Sequence, residues 1–316
     1  MDRRRLLYFE WVIIDRCDMC CSYCIDKGVF AQKLSQDVLY VPGSELRTAE
    51  KIVELCSYAE TVVVSICAAE PLMAVYIKEV LSILARSYNI TVRLFTNLNR
   101  IVTYCEDIVR LSPRIEVVGS LHISYHNDEW VERIIKFINQ YKNTVRLRLG
   151  QVDHELTLED RKKLSRITRE CGLPICFVTY IQPHSPSAAS EASSQKAQNE
   201  SKFPVSLGKR CCLGYSHFLI NPDGTFKHGL WCTENKVGSF HDLQPSTFDQ
   251  YMPAEMRKCP KVYCGCNYNV HDYDAYFETC KRLGYPKREI VQPVVERPRE
   301  RLKRKISALR SKYLRF

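Results

Sequence analysis

Residues 8–24 read YFEWVIIDRCDMCCSYC, a run of apolar and aromatic residues followed at once by four cysteines. The run Tyr8–Ile14 predicts a buried β-strand, because β-branched and aromatic side chains favour the pleated backbone. Behind it, Cys17, Cys21 and Cys24 have the spacing Cys-x3-Cys-x2-Cys. Three thiols therefore leave one loop at the end of one strand. This pattern predicts a metal or redox site.

The spacing of these thiols bears on which metal they bind. Zinc closes its tetrahedron with four ligands, often as paired Cys-x2-Cys hooks. Three staggered cysteines fit a [4Fe-4S] cluster that leaves one iron open. A structural zinc site and buried free thiols are the alternatives. Cys20 lies off this spacing, and we predict that it is a bystander, because a buried thiol usually packs as a small apolar side chain.

Outward from this loop, residues 1–182 alternate short apolar runs with stretches of helical period. The predicted strands are Tyr8–Ile14, Thr61–Cys67, Thr91–Phe95, Ile115–Ser124, Thr144–Leu149 and Pro174–Ile181. The predicted helices are Thr48–Tyr58, Val75–Tyr88, Val102–Leu111, Glu129–Tyr141 and Thr157–Cys171, with caps at Thr48, Asn127 and Thr157. Such βα units favour parallel pairing with right-handed crossovers, and ligand sites at the carboxyl ends of the strands.

With this organisation, the cysteine loop resembles that of the radical SAM superfamily, and Tyr23 is the aromatic residue before the last cysteine. The resemblance implies an α/β fold, a partial (β/α)6 TIM-type barrel. It also implies a [4Fe-4S] cluster on Cys17, Cys21 and Cys24 whose open iron binds S-adenosylmethionine (SAM). One electron then splits SAM into methionine and a 5′-deoxyadenosyl radical, which abstracts hydrogen from a substrate carbon.

The resemblance further implies SAM contacts at the strand ends. The family's Gly-Gly-Glu-Pro segment corresponds to residues 68–71, where two alanines replace the glycines, and its Thr-Asn-Gly corresponds to residues 96–98, where Leu98 replaces the glycine. Ser124 lies in a segment similar to the family's Ile-Ser-Leu-Asp, with His126 in place of the acid. The predicted cofactor-binding residues are Tyr23, Ala68, Ala69, Glu70, Pro71, Asn97 and Ser124. Strand alternation predicts that His122 and His126 share the side of Ser124.

Beyond the predicted barrel the composition changes. Residues 183–206 are rich in Ser, Ala, Gln and Asn, which predicts a flexible linker. Residues 207–285 are predicted to form a second, small α+β module. Within it, Asn221-Pro-Asp-Gly224 predicts the turn of a hairpin. Residues 286–316 form a basic tail with 11 Lys and Arg against 3 Asp and Glu.

The small module resembles the SPASM extension of radical SAM enzymes, or the shorter Twitch extension, which bind auxiliary [4Fe-4S] clusters. Six of its cysteines are grouped, which favours one auxiliary cluster over two. The preferred ligands are Cys212, Cys232, Cys264 and Cys266, and the rivals are Cys211 and Cys259. A zinc knuckle on the same thiols is the alternative, because thiolates suit both metals.

The tail places Leu302, Ile306, Leu309 and Tyr313 on one stripe of a basic amphipathic helix. Such a helix contacts an anionic membrane surface, a nucleic acid or a partner protein, or it packs on its own protein. No secretory cleavage pattern follows the first apolar run, which predicts a cytoplasmic protein, either free or peripheral at a membrane surface.

The predicted function is that of a radical SAM enzyme, an oxidoreductase or a peptide-modifying enzyme. Its predicted substrate is a peptide or a sugar-like alcohol, and its predicted partner is an external one-electron reductant. The alternative from another class is a zinc-ribbon protein that binds nucleic acid through the basic tail. The nearly neutral charge of the body, which offers no second basic stripe, disfavours this alternative.

Overall fold

The computed structural model describes residues 4–24, 40–111, 114–179, 210–211, 216–227, 236–244, 246, 248, 250 and 257–258. The linker 183–206, the tail 286–316 and the side chains of all six grouped cysteines lie outside the described residues. The described strands are β1 (Arg4–Trp11), β2 (Ala59–Ile66), β3 (Ile90–Thr96), β4 (Ile115–Ser120), β5 (Arg146–Asp153), β6 (Ile175–Thr179), β7 (Arg210–Cys211), β8 (His217–Ile220), β9 (Thr225–Lys227), β10 (Lys236–Ser239) and β11 (Arg257–Lys258). The α-helices are α1 (Ser44–Leu55), α2 (Ile77–Ala85), α3 (Ile101–Leu111), α4 (Asp128–Tyr141) and α5 (Leu158–Cys171).

Strands β1 to β6 pair in parallel and in chain order, and a helix precedes each strand from β2 to β6. Alternate residues of β1 lie on opposite faces of the sheet, so that Phe9 belongs to the main core, with the buried face of α1, while Tyr8 belongs to a small cluster with Leu6 and Val63. The predicted α/β fold, with its partial barrel of six parallel strands, is therefore confirmed. Within the described part of the chain, no helix is both long and apolar enough to cross a membrane.

Two of the three predicted helix caps are confirmed. The Asn127 side chain accepts the Trp130 N–H at 2.9 Å, and Thr157 forms a reciprocal capping box with Asp160. The prediction for Thr48 is wrong, because α1 begins four residues earlier. There, Gly43 adopts a left-handed backbone with φ 93°, and the Glu45 carboxylate accepts its N–H at 2.7 Å.

The predicted extent of β4 is also wrong. The strand ends at Ser120, His122 turns left-handed with φ 43°, and Ile123–Tyr125 forms a 3₁₀ turn. Strand alternation therefore does not apply at Ser124, and its place relative to the two neighbouring histidines follows from this turn instead. The pattern of apolar residues in the sequence did not indicate this turn. Ile123 is buried in the turn, as it would be in a strand.

The segment after the linker continues the barrel sheet. Strand β8 pairs in parallel with β1, and β9 and β10 follow as antiparallel strands, so the sheet runs β10-β9-β8-β1-β2-β3-β4-β5-β6. The predicted hairpin turn is confirmed, with Gly224 at φ 76° and the Asp223 carboxylate accepting the Thr225 N–H at 2.9 Å. His241 after β10 lies 2.8 Å from the Thr48 hydroxyl of α1, which fixes the hairpin against the barrel.

A buried histidine in β8 makes stability depend on pH. His217 is 1 % exposed and stacks on Tyr8 at 4.7 Å, and burial lowers its pKa to about 3. Because the unfolded chain titrates near 6.5, protons bind the unfolded state preferentially as the pH falls through this window. We expect His217 to account for a loss of roughly 2–3 kcal/mol in unfolding free energy between pH 7 and pH 4.5.

Urea unfolding at several pH values checks this expectation, with His217→Phe as the comparison because phenylalanine keeps the ring but cannot titrate. The variant should lose less stability on acidification than the wild type. Equal slopes in the two proteins would contradict it.

Candidate active site

The cysteine loop lies at the carboxyl end of β1. The Trp11 carbonyl accepts the Cys67 N–H at 3.0 Å, which joins the ends of β1 and β2 just before this loop. Cys17 and Cys20 are exposed, Cys24 is half-buried and Cys21 is 5 % exposed.

A thiol trio on a single loop has the donor chemistry of a [4Fe-4S] cluster, whose thiolates each bind a different iron. Backbone contacts support the loop: the Met19 N–H lies 3.4 Å from Cys17 Sγ, and the Cys24 N–H donates to the Cys21 carbonyl at 3.3 Å. Within the described residues, no three His, Cys, Asp or Glu side chains are arranged around a single metal ion. The fit of these residues to a [4Fe-4S] cluster rests on their thiol chemistry and on their place on one loop.

Asn97, at the end of β3, contacts this loop. Its amide nitrogen donates to Asp18 Oδ1 at 2.6 Å and lies 3.8 Å from Cys17 Sγ. Arg100 donates to the other oxygen of Asp18 at 3.1 Å. Asp18 thus connects the cysteine loop to the β3 end. Sequence reasoning missed this residue, because an aspartate between two cysteines has no distinguishing pattern.

Glu70 is fully buried where β2 ends. Its Oε1 accepts the Leu72 N–H at 3.1 Å and the Thr96 hydroxyl at 2.8 Å, and its Oε2 accepts the Asn97 N–H at 2.7 Å. The Glu70 N–H donates to the Arg16 carbonyl at 2.9 Å. Burial raises the pKa of Glu70 to about 7, and the three donors act against that rise. Glu70 therefore fixes the ends of β2 and β3 and the start of the cysteine loop in one arrangement.

Left-handed backbone occurs where the family resemblance places glycines. Ala68 has φ 65°, Ala69 has φ 46° and Leu98 has φ 66°. A side chain in this conformation costs about 1–2 kcal/mol per residue. The chain thus keeps a glycine-like path without glycine, and such strain persists where the surrounding structure imposes it. The sequence did not reveal these angles, because alanine and leucine do not favour them.

Leu98 also makes a close approach to β4. Its side chain is fully buried, and a Cβ added at Gly119 would lie 2.7 Å from its Cδ1. We expect Gly119→Ala to lower the unfolding free energy by about 1–3 kcal/mol, because the packed core cannot yield. In a Leu98→Ala background the same change should cost much less.

Urea unfolding of the four proteins in this cycle measures the coupling. Gly150→Ala on β5 is the matched control, because its Cβ would meet only backbone oxygens at 3.8 Å and beyond. An identical cost of Gly119→Ala with and without the leucine would show that the two residues do not clash.

The residues after β4 form a polar group at the same edge. The Ser124 hydroxyl donates to Asp160 at 3.0 Å, and although partial burial opposes it, hydrogen bonds from Thr157 and Ser124 lower the pKa of Asp160. His126 stacks on Trp130 at 3.7 Å and lines a cavity of about 450 Å³. Burial lowers the pKa of His126 to about 4. The Ser124 hydroxyl thus donates to a carboxylate of the α5 capping box, which the sequence could have indicated, and its contact with SAM stays a prediction.

Tyr23 packs its side chain among aromatic residues and is 6 % exposed. Its ring stacks on His122 at 5.8 Å and meets Tyr125 and His154 edge-on at 5.7 and 5.3 Å. Its hydroxyl lies 2.9 Å from His122 Nδ1, and the same nitrogen lies 3.7 Å from Cys21 Sγ. Sequence reasoning missed Tyr125 and His154, which carry no motif.

The structure therefore brings several of the predicted residues into contact. Asn97 makes polar contacts with both Cys17 and Glu70. His122 makes polar contacts with both Cys21 and Tyr23. Their roles in binding SAM stay predictions, as do the roles of Ala68, Ala69, Pro71 and Ser124. The preferred auxiliary ligands Cys212, Cys232, Cys264 and Cys266, and the rivals Cys211 and Cys259, have no described side chains.

Comparisons with known proteins agree on the fold. No protein-family model matches the sequence, and no curated protein does. Native anSMEcpe with bound AdoMet and Cp18Cys peptide matches with a TM-score of 0.53 and 14 % identity over 87 % of each chain. Native anSMEcpe with bound AdoMet matches with a TM-score of 0.53 and 13 % identity, over 78 % of this chain and 80 % of that one.

SuiB from Streptococcus suis, bound to S-adenosylmethionine, matches with a TM-score of 0.49 and 13 % identity. The match covers 77 % of this chain and 63 % of SuiB, so the chain spans less than two thirds of SuiB's length. At these identities the likeness to anSMEcpe shows a shared fold.

Proposed function

We propose that the chain is a radical SAM enzyme in which Cys17, Cys21 and Cys24 hold a [4Fe-4S] cluster. The observation that carries the proposal is the Cys-x3-Cys-x2-Cys loop at the carboxyl end of β1, at the edge where parallel α/β folds bind ligands. The fold shared with anSMEcpe, a protein described with bound AdoMet, supports it. When bound, the cluster supplies the electron that cleaves SAM into methionine and a 5′-deoxyadenosyl radical.

The neighbouring residues are proposed to shape the SAM site. Glu70 holds the ends of β2 and β3 through its three hydrogen bonds, and is therefore a positioning residue. Ala68 and Ala69 present a left-handed backbone that we assign to the methionyl end of SAM. Asn97, Pro71, Tyr23 and Ser124 complete the proposed cofactor-binding set.

The proposed substrate is a peptide. The support is anSMEcpe, which is described with a bound Cp18Cys peptide and covers 87 % of this chain. A sugar-like alcohol stays the other predicted class of substrate. In either case the proposed enzyme takes its electron from an external one-electron reductant, and net oxidation would make it an oxidoreductase.

Three further proposals concern the module, the tail and the location of the protein. The module 207–285 is proposed to bind one auxiliary [4Fe-4S] cluster through Cys212, Cys232, Cys264 and Cys266. The tail is proposed to contact an anionic membrane surface, a nucleic acid or a partner protein. A cytoplasmic location, free or peripheral at the membrane, completes the set.

Anaerobic reconstitution with iron and sulfide tests the proposal. The protein should bind about eight irons, as two [4Fe-4S] clusters, and should form 5′-deoxyadenosine from SAM under dithionite. Combined Cys232→Ala and Cys264→Ala should lower the iron content to about four and leave SAM cleavage in place. Stoichiometric zinc without acid-labile sulfide would reject the proposal in favour of the zinc-ribbon alternative.

A further inference from the structure

Tyr23 and His122 form a hydrogen-bonded pair beside one thiol of the cysteine loop. His122 Nδ1 lies 2.9 Å from the Tyr23 hydroxyl and 3.7 Å from Cys21 Sγ. A side-chain hydrogen bond also joins the Tyr23 hydroxyl and the Cys21 thiol. Three polar groups from two distant parts of the chain thus meet around one sulfur.

The backbone of His122 indicates that this placement is imposed by its surroundings. The residue has φ 43° although it is not glycine, and its carbonyl accepts the Tyr125 N–H at 2.9 Å in the following turn. Left-handed backbone of this kind costs about 1–2 kcal/mol. Stacking on Tyr23 and burial hold the ring where Nδ1 reaches the pair. Strain of this kind concentrates at functional sites.

The tautomer of His122 sets the directions of the two hydrogen bonds. A neutral imidazole can carry its proton on Nδ1 and donate it to the tyrosine oxygen. That oxygen then directs its own hydrogen to Cys21 Sγ, which accepts as a thiolate. In this series of two hydrogen bonds, His122 donates to Tyr23 and Tyr23 donates to the sulfur of Cys21.

We propose that Tyr23, oriented by His122, donates a hydrogen bond to the Cys21 sulfur and thereby raises the reduction potential of the cluster at this loop. This inference rests on the proposed function. Hydrogen bonds to the ligand sulfurs are among the features that set the potential of iron–sulfur clusters. A donor stabilises the reduced form more than the oxidised form, because reduction adds negative charge to the sulfurs.

At Cys17 the sulfur already has a backbone donor, because the Met19 N–H lies 3.4 Å from it. The Asn97 amide lies 3.8 Å from Cys17 Sγ, but it donates to Asp18 at the much shorter distance of 2.6 Å. One N–H of the Asn97 amide is therefore engaged by the carboxylate. Tyr23 and His122 are the positioning pair that acts on the ligand set.

Three variants of the anaerobically reconstituted full-length protein test the inference. Tyr23→Phe keeps the ring and removes the hydroxyl, and His122→Phe keeps a ring and removes the nitrogen. His122→Asn restores an N–H near the position of Nδ1 and tolerates a positive φ. The measurement is the midpoint potential, from a redox titration followed by EPR on the signal that changes when SAM is added.

Tyr23→Phe and His122→Phe should shift this potential to lower values, and SAM cleavage with a weak reductant should slow about tenfold. The midpoint potential of His122→Asn should lie close to that of the wild type. Tyr125→Phe is the matched control, because its hydroxyl accepts the Ser22 N–H and donates to the Ser22 hydroxyl at 2.9 Å, which places it on the backbone and a serine of the same loop.

An unchanged potential in Tyr23→Phe, or an equal shift in Tyr125→Phe, would overturn the inference. The Tyr23 variant decides the outcome even if His122→Phe does not fold. A wild-type protein without iron and sulfide would instead overturn the proposed function, and this inference with it.

Discussion

Replacing Cys17, Cys21 or Cys24 with alanine is expected to abolish the formation of 5′-deoxyadenosine from SAM. Each thiolate binds a different iron of a [4Fe-4S] cluster, so the loss of one leaves an iron without its protein ligand. The remaining two thiols belong to a loop that offers no substitute at the required spacing. The measurement is chromatography of the reaction with SAM and dithionite under anaerobic conditions.

Cys20→Ala is the matched control for these variants. Cys20 lies in the same loop and is exposed like Cys17, but it is off the three-cysteine spacing, so its removal should leave SAM cleavage in place. A variant in which alanine replaces Cys17, Cys21 and Cys24 together should still bind the iron of the proposed auxiliary cluster. Formation of 5′-deoxyadenosine by the triple variant would show that the assignment of the loop is wrong.

Glu70→Ala is expected to cause the largest loss of stability among the single changes considered. The change leaves the Leu72 and Asn97 N–H groups and the Thr96 hydroxyl buried without the acceptor that they share. Each buried donor without a partner costs about 1–3 kcal/mol, so we expect a loss of several kcal/mol from a total of about 5–15 kcal/mol. Urea unfolding of the metal-free protein under reducing conditions measures this loss.

Glu60→Ala gives the reference for this measurement, because Glu60 is an exposed glutamate on β2, the strand that precedes Glu70, and its removal should change stability by at most about 0.5 kcal/mol. Glu70→Gln should lose an amount of stability between those of Glu60→Ala and Glu70→Ala. Its amide oxygen still accepts two donors, while its nitrogen faces the Asn97 N–H. Equal midpoints for Glu70→Ala and Glu60→Ala would refute the role assigned to Glu70.

Local pattern predicted the barrel because its elements carry their own signals. The six strands and five helices follow from apolar periodicity, and the caps at Asn127 and Thr157 follow from side chains that accept backbone N–H groups two to three residues ahead. The start of α1 was missed because Gly43 has no capping side chain. The end of β4 was missed because its turn buries Ile123 as a strand would.

Contacts between distant parts of the chain were beyond sequence reasoning. The pairing of Tyr8 with His217, and the meeting of Tyr23 with His122, depend on how strands are ordered in the sheet. The three thiols of the candidate site were found from spacing alone. Asp18, which holds Asn97, was not, because a lone carboxylate has no pattern that distinguishes it from a solvated one.

β1 is the first described strand to leave the ribosome, yet its outer partner, β8, is made about 200 residues later. At roughly 5–20 residues per second, the outer edge of β1 waits roughly 10–40 s for that partner. An unpaired apolar edge is a template for pairing with another chain, and Phe9 and Trp11 lie on this one. Newly made chains are therefore most vulnerable to aggregation during translation of the region between β6 and β8.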